Sequence, residues 1–225
     1  MLLRKELSLT YMEQPPAIGS SNAPVLILVH GYGSNEKDLI QLAPLLPREL
    51  RCISVRAPHI LEIGMFAWFP LEFTPTGIIV DHDAAPKAAG QFKTFIQEII
   101  DSAQPSGNKV YLMGFSQGAV MSYLTAFNNP DLLHGVIACS GQLPETLMPE
   151  PHPGLRTLPF LVMHGIYDDV LPITKGRTAK TWLEERVDDL VYREYPVGHQ
   201  IDENGIELIG SWLTKRSGGN SSMPH

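Results

Sequence analysis

"VYLMGFSQGAVM", residues 110–121, decides how the rest of the chain is read. Val110 to Met113 is a short apolar run of strand formers. From Gln117 to Phe127 the residues favour a helix, which Asn128, Asn129 and Pro130 end. Between the two stands Gly114-Phe115-Ser116-Gln117-Gly118. A strand that turns at once into a helix crowds the positions two before and two after the corner, where glycine avoids the clash of a Cβ. The corner residue is left strained, with its side chain thrust above the sheet. This is the Gly-x-Ser-x-Gly nucleophile elbow. A chance pentad would lack the flanking strand and helix.

Working outward, apolar runs alternate with helical periodicity. Val25–Val29 is continuously apolar, as in a strand covered on both faces. Helical spacing predicts a helix over Glu36–Leu46, and Cys52–Val55 reads as a short strand. Ala84–Ser102 carries Phe92, Phe95, Ile96, Ile99 and Ile100 at helical intervals. Further strands are expected at Gly135–Ser140, Phe160–His164 and Val191–Tyr195, with helices at Lys175–Arg186 and Ile201–Lys215. This alternation implies an α/β fold with a mostly parallel, twisted sheet between helices. Ligands then sit beyond the carboxyl ends of the strands.

Composition bounds the rest. At 225 residues and 44% hydrophobic content, one domain spanning residues 1–216 is expected, followed by a flexible tail at 217–225. The formal charge of −7, with no basic run, argues against a nucleic-acid partner. No apolar stretch approaches the roughly 20 residues of a membrane span, and the charged start "MLLRKELSLTYMEQ" is unlike a signal peptide. A cytoplasmic protein without stable membrane insertion is the default expectation. Cys52 and Cys139 read as two small buried hydrophobes. The sequence leaves a monomer and a homodimer equally open.

A serine hydroxyl needs a base, and the base needs a third group to fix its tautomer. Elbow-bearing hydrolases place these in the order serine, acid, histidine. Of the histidines after Ser116, His134 enters a strand, His152 lies among prolines and His225 ends the tail. His164 closes a strand. His199, in "YPVGHQI", lies in a loop between the last strand and the last helix and is the favoured base. The acid must come from the loop "HGIYDDVLP", as Asp168 or Asp169. Asp188 and Asp189 precede a strand and so fall at the opposite edge. For the oxyanion, the backbone N–H of Gln117 is one donor. The second is the N–H of Tyr32 in "HGYG", where Gly31 and Gly33 let the backbone turn inward. A phosphate cradle would instead want a lysine and a Ser/Thr after the final glycine.

The ordered set "HGYG", "APH…AWF", "GFSQGAVMS", "GVIACSGQLP", "HGIYDDVLP" and "GHQI" resembles the phospholipase/carboxylesterase family of α/β-hydrolases. That family includes bacterial carboxylesterases and acyl-protein thioesterases, and the resemblance runs from about Pro24 to Trp212. By motif position it implies Ser116 as nucleophile, Asp168 as acid, His199 as base, and Tyr32 and Gln117 as oxyanion donors. The chain departs from the family pattern twice. Asp169 stands where proline often follows the acid, and Tyr32 stands where leucine is frequent.

The long segment 57–89 carries Met65, Phe66, Trp68, Phe69, Leu71 and Phe73 and is too short for a separate cap domain. These aromatics either line an acyl pocket or cover the sheet as core. Trp68 and Phe69, in the family's "WF" position, are the candidate substrate contacts. The resemblance implies a serine esterase acting on small-molecule esters or thioesters of short to medium acyl groups, with no metal or cofactor. A lysophospholipase would use the same triad. A non-catalytic ligand-binding protein on a hydrolase scaffold would have no need of the full set.

Overall fold

The computed structural model describes residues 1–18, 23–74, 77–81, 83–102, 109–150 and 152–218, the side chains of 72–80 excepted. His225 and all but the first two residues of the expected tail lie outside the described residues. Ser217 ends the last helix, and Gly218 caps it at φ 89°.

The main sheet has eight strands. In chain order they are β1 (Leu2–Arg4), β2 (Tyr11–Gln14), β3 (Val25–Val29), β4 (Arg51–Val55), then, after two hairpins, β9 (Val110–Phe115), β10 (Gly135–Cys139), β11 (Phe160–Gly165) and β12 (Leu190–Tyr195). The hairpins pair β5 (His59–Glu62) with β6 (Met65–Ala67) and β7 (Leu71–Thr74) with β8 (Gly77–Val80). Spatial order in the sheet is β1-β2-β4-β3-β9-β10-β11-β12. From β4 to β12 every neighbour is parallel; at one edge β2 runs antiparallel to β4, and β1 in turn pairs antiparallel with β2.

The helices are α1 (Ala84–Ser102), α2 (Gln117–Asn128), α3 (Ile173–Glu184) and α4 (Glu203–Ser217). Strand side chains alternate between faces, so the unbroken run Val25–Val29 feeds two cores. Val25, Ile27 and Val29 pack in one core with Phe92, Phe95 and Ile96 of α1, with α2, and with Ala179 and Leu183 of α3. Leu26 and Leu28 pack in the other with Ile209, Trp212 and Leu213 of α4. This is the mostly parallel sheet covered by helices on both faces that the alternating pattern predicts. Among the described residues, the segment between β4 and α1 builds hairpins and no cap domain.

Two local expectations are corrected. The helix expected over Glu36–Leu46 is a 3₁₀ segment at Leu39–Leu45. Pro44 lies inside it and has no N–H to donate, and Pro47 follows, so no α-helical ladder can run through. The N-terminal strands were unforeseen. They are short, each carries one charged residue (Arg4 and Glu13), and they exist because β2 hydrogen-bonds along β4. Cys52 and Cys139 are free and buried, and burial pushes both thiols up to about 12.

Candidate active site

Ser116 links β9 to α2 with φ 55° and ψ −117°. A non-glycine residue held there stores roughly 1–3 kcal/mol of strain. Backbone bonds hold the corner: Ser116 N–H donates to Cys139 O at 2.9 Å, and Ser116 O accepts from Ala119 N–H at 2.9 Å. The two flanking glycines have separate reasons. A Cβ on Gly118 would lie 1.8 Å from Val29 O of β3, and one on Gly114 would lie 2.1 Å from Gly118 O. The elbow therefore closes against the neighbouring strand as well as on itself. Gln117 opens α2, where the first N–H groups have no intrahelical acceptor.

Asp168 and His199 come together from the loops after β11 and β12. His199 Nδ1 lies 2.7 Å from Asp168 Oδ2. Asp168 Oδ1 accepts from the N–H of Val170 at 3.0 Å and of Leu171 at 2.8 Å. The two loops are tied by backbone bonds from Ile166 N–H to Tyr195 O and from Tyr167 N–H to Val197 O. The carboxylate is fully buried, whereas the His199 side chain keeps 16% exposure. Its ring packs against Phe115, the residue before Ser116, at 4.9 Å between centroids. Asp169 is exposed.

The other histidines have different duties. His134 Nδ1 accepts from Val110 N–H at the start of β9, and His152 Nδ1 accepts from Gly154 N–H. His164 is buried, with Nε2 2.7 Å from Leu171 O and 3.4 Å from Asp168 Oδ2.

Tyr32 lies half-buried in the loop after β3, within a turn closed by Ser34 N–H to Gly31 O at 3.3 Å. Three anchors fix this loop, and sequence reasoning missed all of them. Gly33 N–H donates to Phe66 O, and Phe66 N–H to Ser34 O, both at 2.9 Å. Buried His30 accepts from Ala57 N–H at Nε2 (3.1 Å), so its proton sits on Nδ1 and is donated to Gly31 O (2.7 Å). Burial, the largest influence, lowers the His30 pKa and favours this neutral form. Glu36, also buried, takes two bonds of 2.6 Å from Arg56. Burial works to raise the Glu36 carboxyl, but the Arg56 hydrogen bond and lesser contacts outweigh it and leave the pKa below the ordinary value.

Trp68 and Phe69 part company. Phe69 lines a small cleft with Ser116, Leu71, Val120 and Leu171. Trp68 does not border it, which corrects the expectation of a substrate contact. Its indole is buried in the core 5.1 Å from the Phe92 ring, and its Nε1–H donates to His30 O at 3.0 Å. The Gln117 amide clasps the same segment: Oε1 accepts from Trp68 N–H at 2.9 Å, and Nε2 donates to Phe69 O at 2.7 Å. The Gln117 side chain thus has a structural role, separate from the backbone donor expected of this residue.

Among the described residues no group of His, Cys, Asp and Glu side chains is arranged to hold a metal ion. Nor is any described helix long and apolar enough to cross a membrane.

The chain resembles known proteins along most of its length. Acyl-protein thioesterase 1 of Aspergillus fumigatus is 31% identical over 227 residues, covering 89% of this chain and 90% of that protein. The esterase PE8 structure superposes with a TM-score of 0.77 at 27% identity, covering 92% of this chain and 99% of that one. A carboxylesterase from Mesorhizobium loti shares the fold at a TM-score of 0.81 and 20% identity, covering 95% and 98%. The family model described as Phospholipase/Carboxylesterase matches residues 17–217, and the chain belongs to that family.

Proposed function

We propose that this protein hydrolyses carboxylic esters or thioesters of short to medium acyl groups by way of an acyl-enzyme on Ser116. The observation that carries the reading is the 2.7 Å contact of His199 Nδ1 with the buried Asp168 carboxylate, beside a strained serine. A carboxylate only accepts, so Nδ1 carries the proton and Nε2 presents a lone pair. His199 Nε2 takes the Ser116 proton as Oγ attacks the carbonyl, then returns it to the leaving alcohol or thiol. A water, deprotonated by the same nitrogen, releases the acid. The backbone N–H groups of Gln117 and Tyr32 hold the oxyanion, a role worth on the order of 10²–10³ in rate for each donor.

The cleft supports the size limit. The space beside Ser116 between Phe69, Leu71, Val120 and Leu171 is small and mostly apolar, which suits an acyl group of few carbons. Thioesters follow from the family and from the acyl-protein thioesterase relative, since the same attack releases a thiolate. A series of p-nitrophenyl esters from C2 to C16, run beside matched acyl thioesters, tests the reading. Turnover should peak within C2–C8, and a tenfold preference for C16 would overturn the size argument.

A further inference from the structure

We propose that Gln142 selects acyl groups that carry a hydrogen-bond donor, a hydroxyl in the simplest case, close to the scissile carbonyl. This rests on the esterase reading above.

The cleft beside Ser116 has apolar walls and two glutamines. The Gln117 amide is engaged at both ends by the Trp68–Phe69 backbone. Gln142 is the opposite case. It is 7% exposed, and its Oε1 is buried with no hydrogen-bond partner. Of the buried side-chain atoms left unpartnered among the described residues, it alone belongs to a residue lining this cleft.

The backbone brings the residue to the cleft's edge. Ser140 ends the β10 run with φ 47°, and its N–H donates to Met163 O at 2.8 Å. Gly141 then passes so close to α2 that a Cβ would stand 2.4 Å from Ala119 Cβ. Gln142 follows directly, over the first turn of the helix that Ser116 begins.

A buried acceptor without a donor costs about 1–3 kcal/mol. A ligand that brings the donor recovers that cost, and one that brings only carbon cannot. Sites built to bond a hydroxyl reject the deoxy analogue for this reason. Phe69, Leu71 and the small volume set the length of the acyl group, and Gln142 sets its polarity.

The test compares p-nitrophenyl 3-hydroxybutanoate with p-nitrophenyl 3-methylbutanoate, in which a methyl replaces the hydroxyl, on wild type, Gln142→Leu and Gln142→Glu. Folding is checked by circular dichroism and Ser116 by fluorophosphonate labelling. In wild type kcat/KM should favour the hydroxy ester about tenfold. Gln142→Leu should bring the ratio to about one, chiefly by improving the 3-methylbutanoate, while Gln142→Glu keeps an acceptor and the preference. Turnover of both esters at equal rates by labelled wild type overturns the role of Gln142 and spares the esterase. So does an unchanged ratio in folded Gln142→Leu. No labelling and no turnover of either ester overturns both readings.

Discussion

Replacing Asp168 by Asn changes one atom, and the surrounding bonds dictate the result. Oδ1 accepts two backbone N–H groups, from Val170 and Leu171. The asparagine oxygen must stay there, since turning the amide would set NH₂ against two donors. Each lost bond costs about 1–3 kcal/mol, so the reversed rotamer is outweighed by at least about thirtyfold. The NH₂ then faces His199 Nδ1, where Oδ2 now sits at 2.7 Å. His199 must accept at Nδ1 and carry its proton on Nε2, the tautomer that cannot take the serine proton. The expected loss in kcat is up to about 10⁴, as in other triads. Exposed Asp169 changed to Asn should cost less than about tenfold. The assay is p-nitrophenyl butyrate hydrolysis with both variants folded by circular dichroism. The reverse order of the two losses would refute the assignment.

Gly118→Ala should lower activity by about 10² or more, because a Cβ 1.8 Å from Val29 O forces α2 back by over about 1 Å. Gly90→Ala on α1, where the new Cβ meets nothing within 4 Å, is the matched control for rate and melting temperature. Trp68→Ala should destabilise by about 3–5 kcal/mol in urea unfolding, as expected for a buried aromatic, and leave the acyl-length profile unaltered. A longer tolerated chain without loss of stability would show that the indole lines the cleft after all. Glu36→Gln should cost about 2 kcal/mol, less than a fully buried pair because Arg56 reaches water. The folded-state pKa of Glu36 lies below the ordinary 4.5. Its ionic stabilisation is therefore whole above about pH 4.5 and is lost as pH falls through the folded value. Urea midpoints of wild type and variant should converge on acidification, and a constant gap down to pH 3 would refute this.

The sequence made the frame legible where local pattern and tertiary demand coincide. Val25–Val29 reads as a doubly covered strand because both of its faces meet helices, and Ala84–Ser102 shows its buried stripe outright. Ser116 could be found because its elbow constrains residues two positions away. Asp168 needed the family pattern, since Asp169 is its chemical equal in the sequence, and only the fold buries one and exposes the other. Trp68 was misread because an aromatic beside a site looks the same whether it faces the ligand or the core. His30, Glu36 and the Gln117 amide were invisible because each meets a partner 20 or more residues away. Gln142 lies inside the motif "GVIACSGQLP", but nothing in that motif signals an unpartnered amide oxygen, which only the fold reveals.

The central claim is that Ser116 is the nucleophile, and peptide mapping by mass spectrometry after treatment with a fluorophosphonate tests it most directly. A single adduct on the peptide bearing Ser116 is expected in wild type, with none on folded Ser116→Ala. Ester hydrolysis by that variant should fall by around 10⁶, toward background. An adduct on another residue, or Ser116→Ala activity within about tenfold of wild type, would contradict the account.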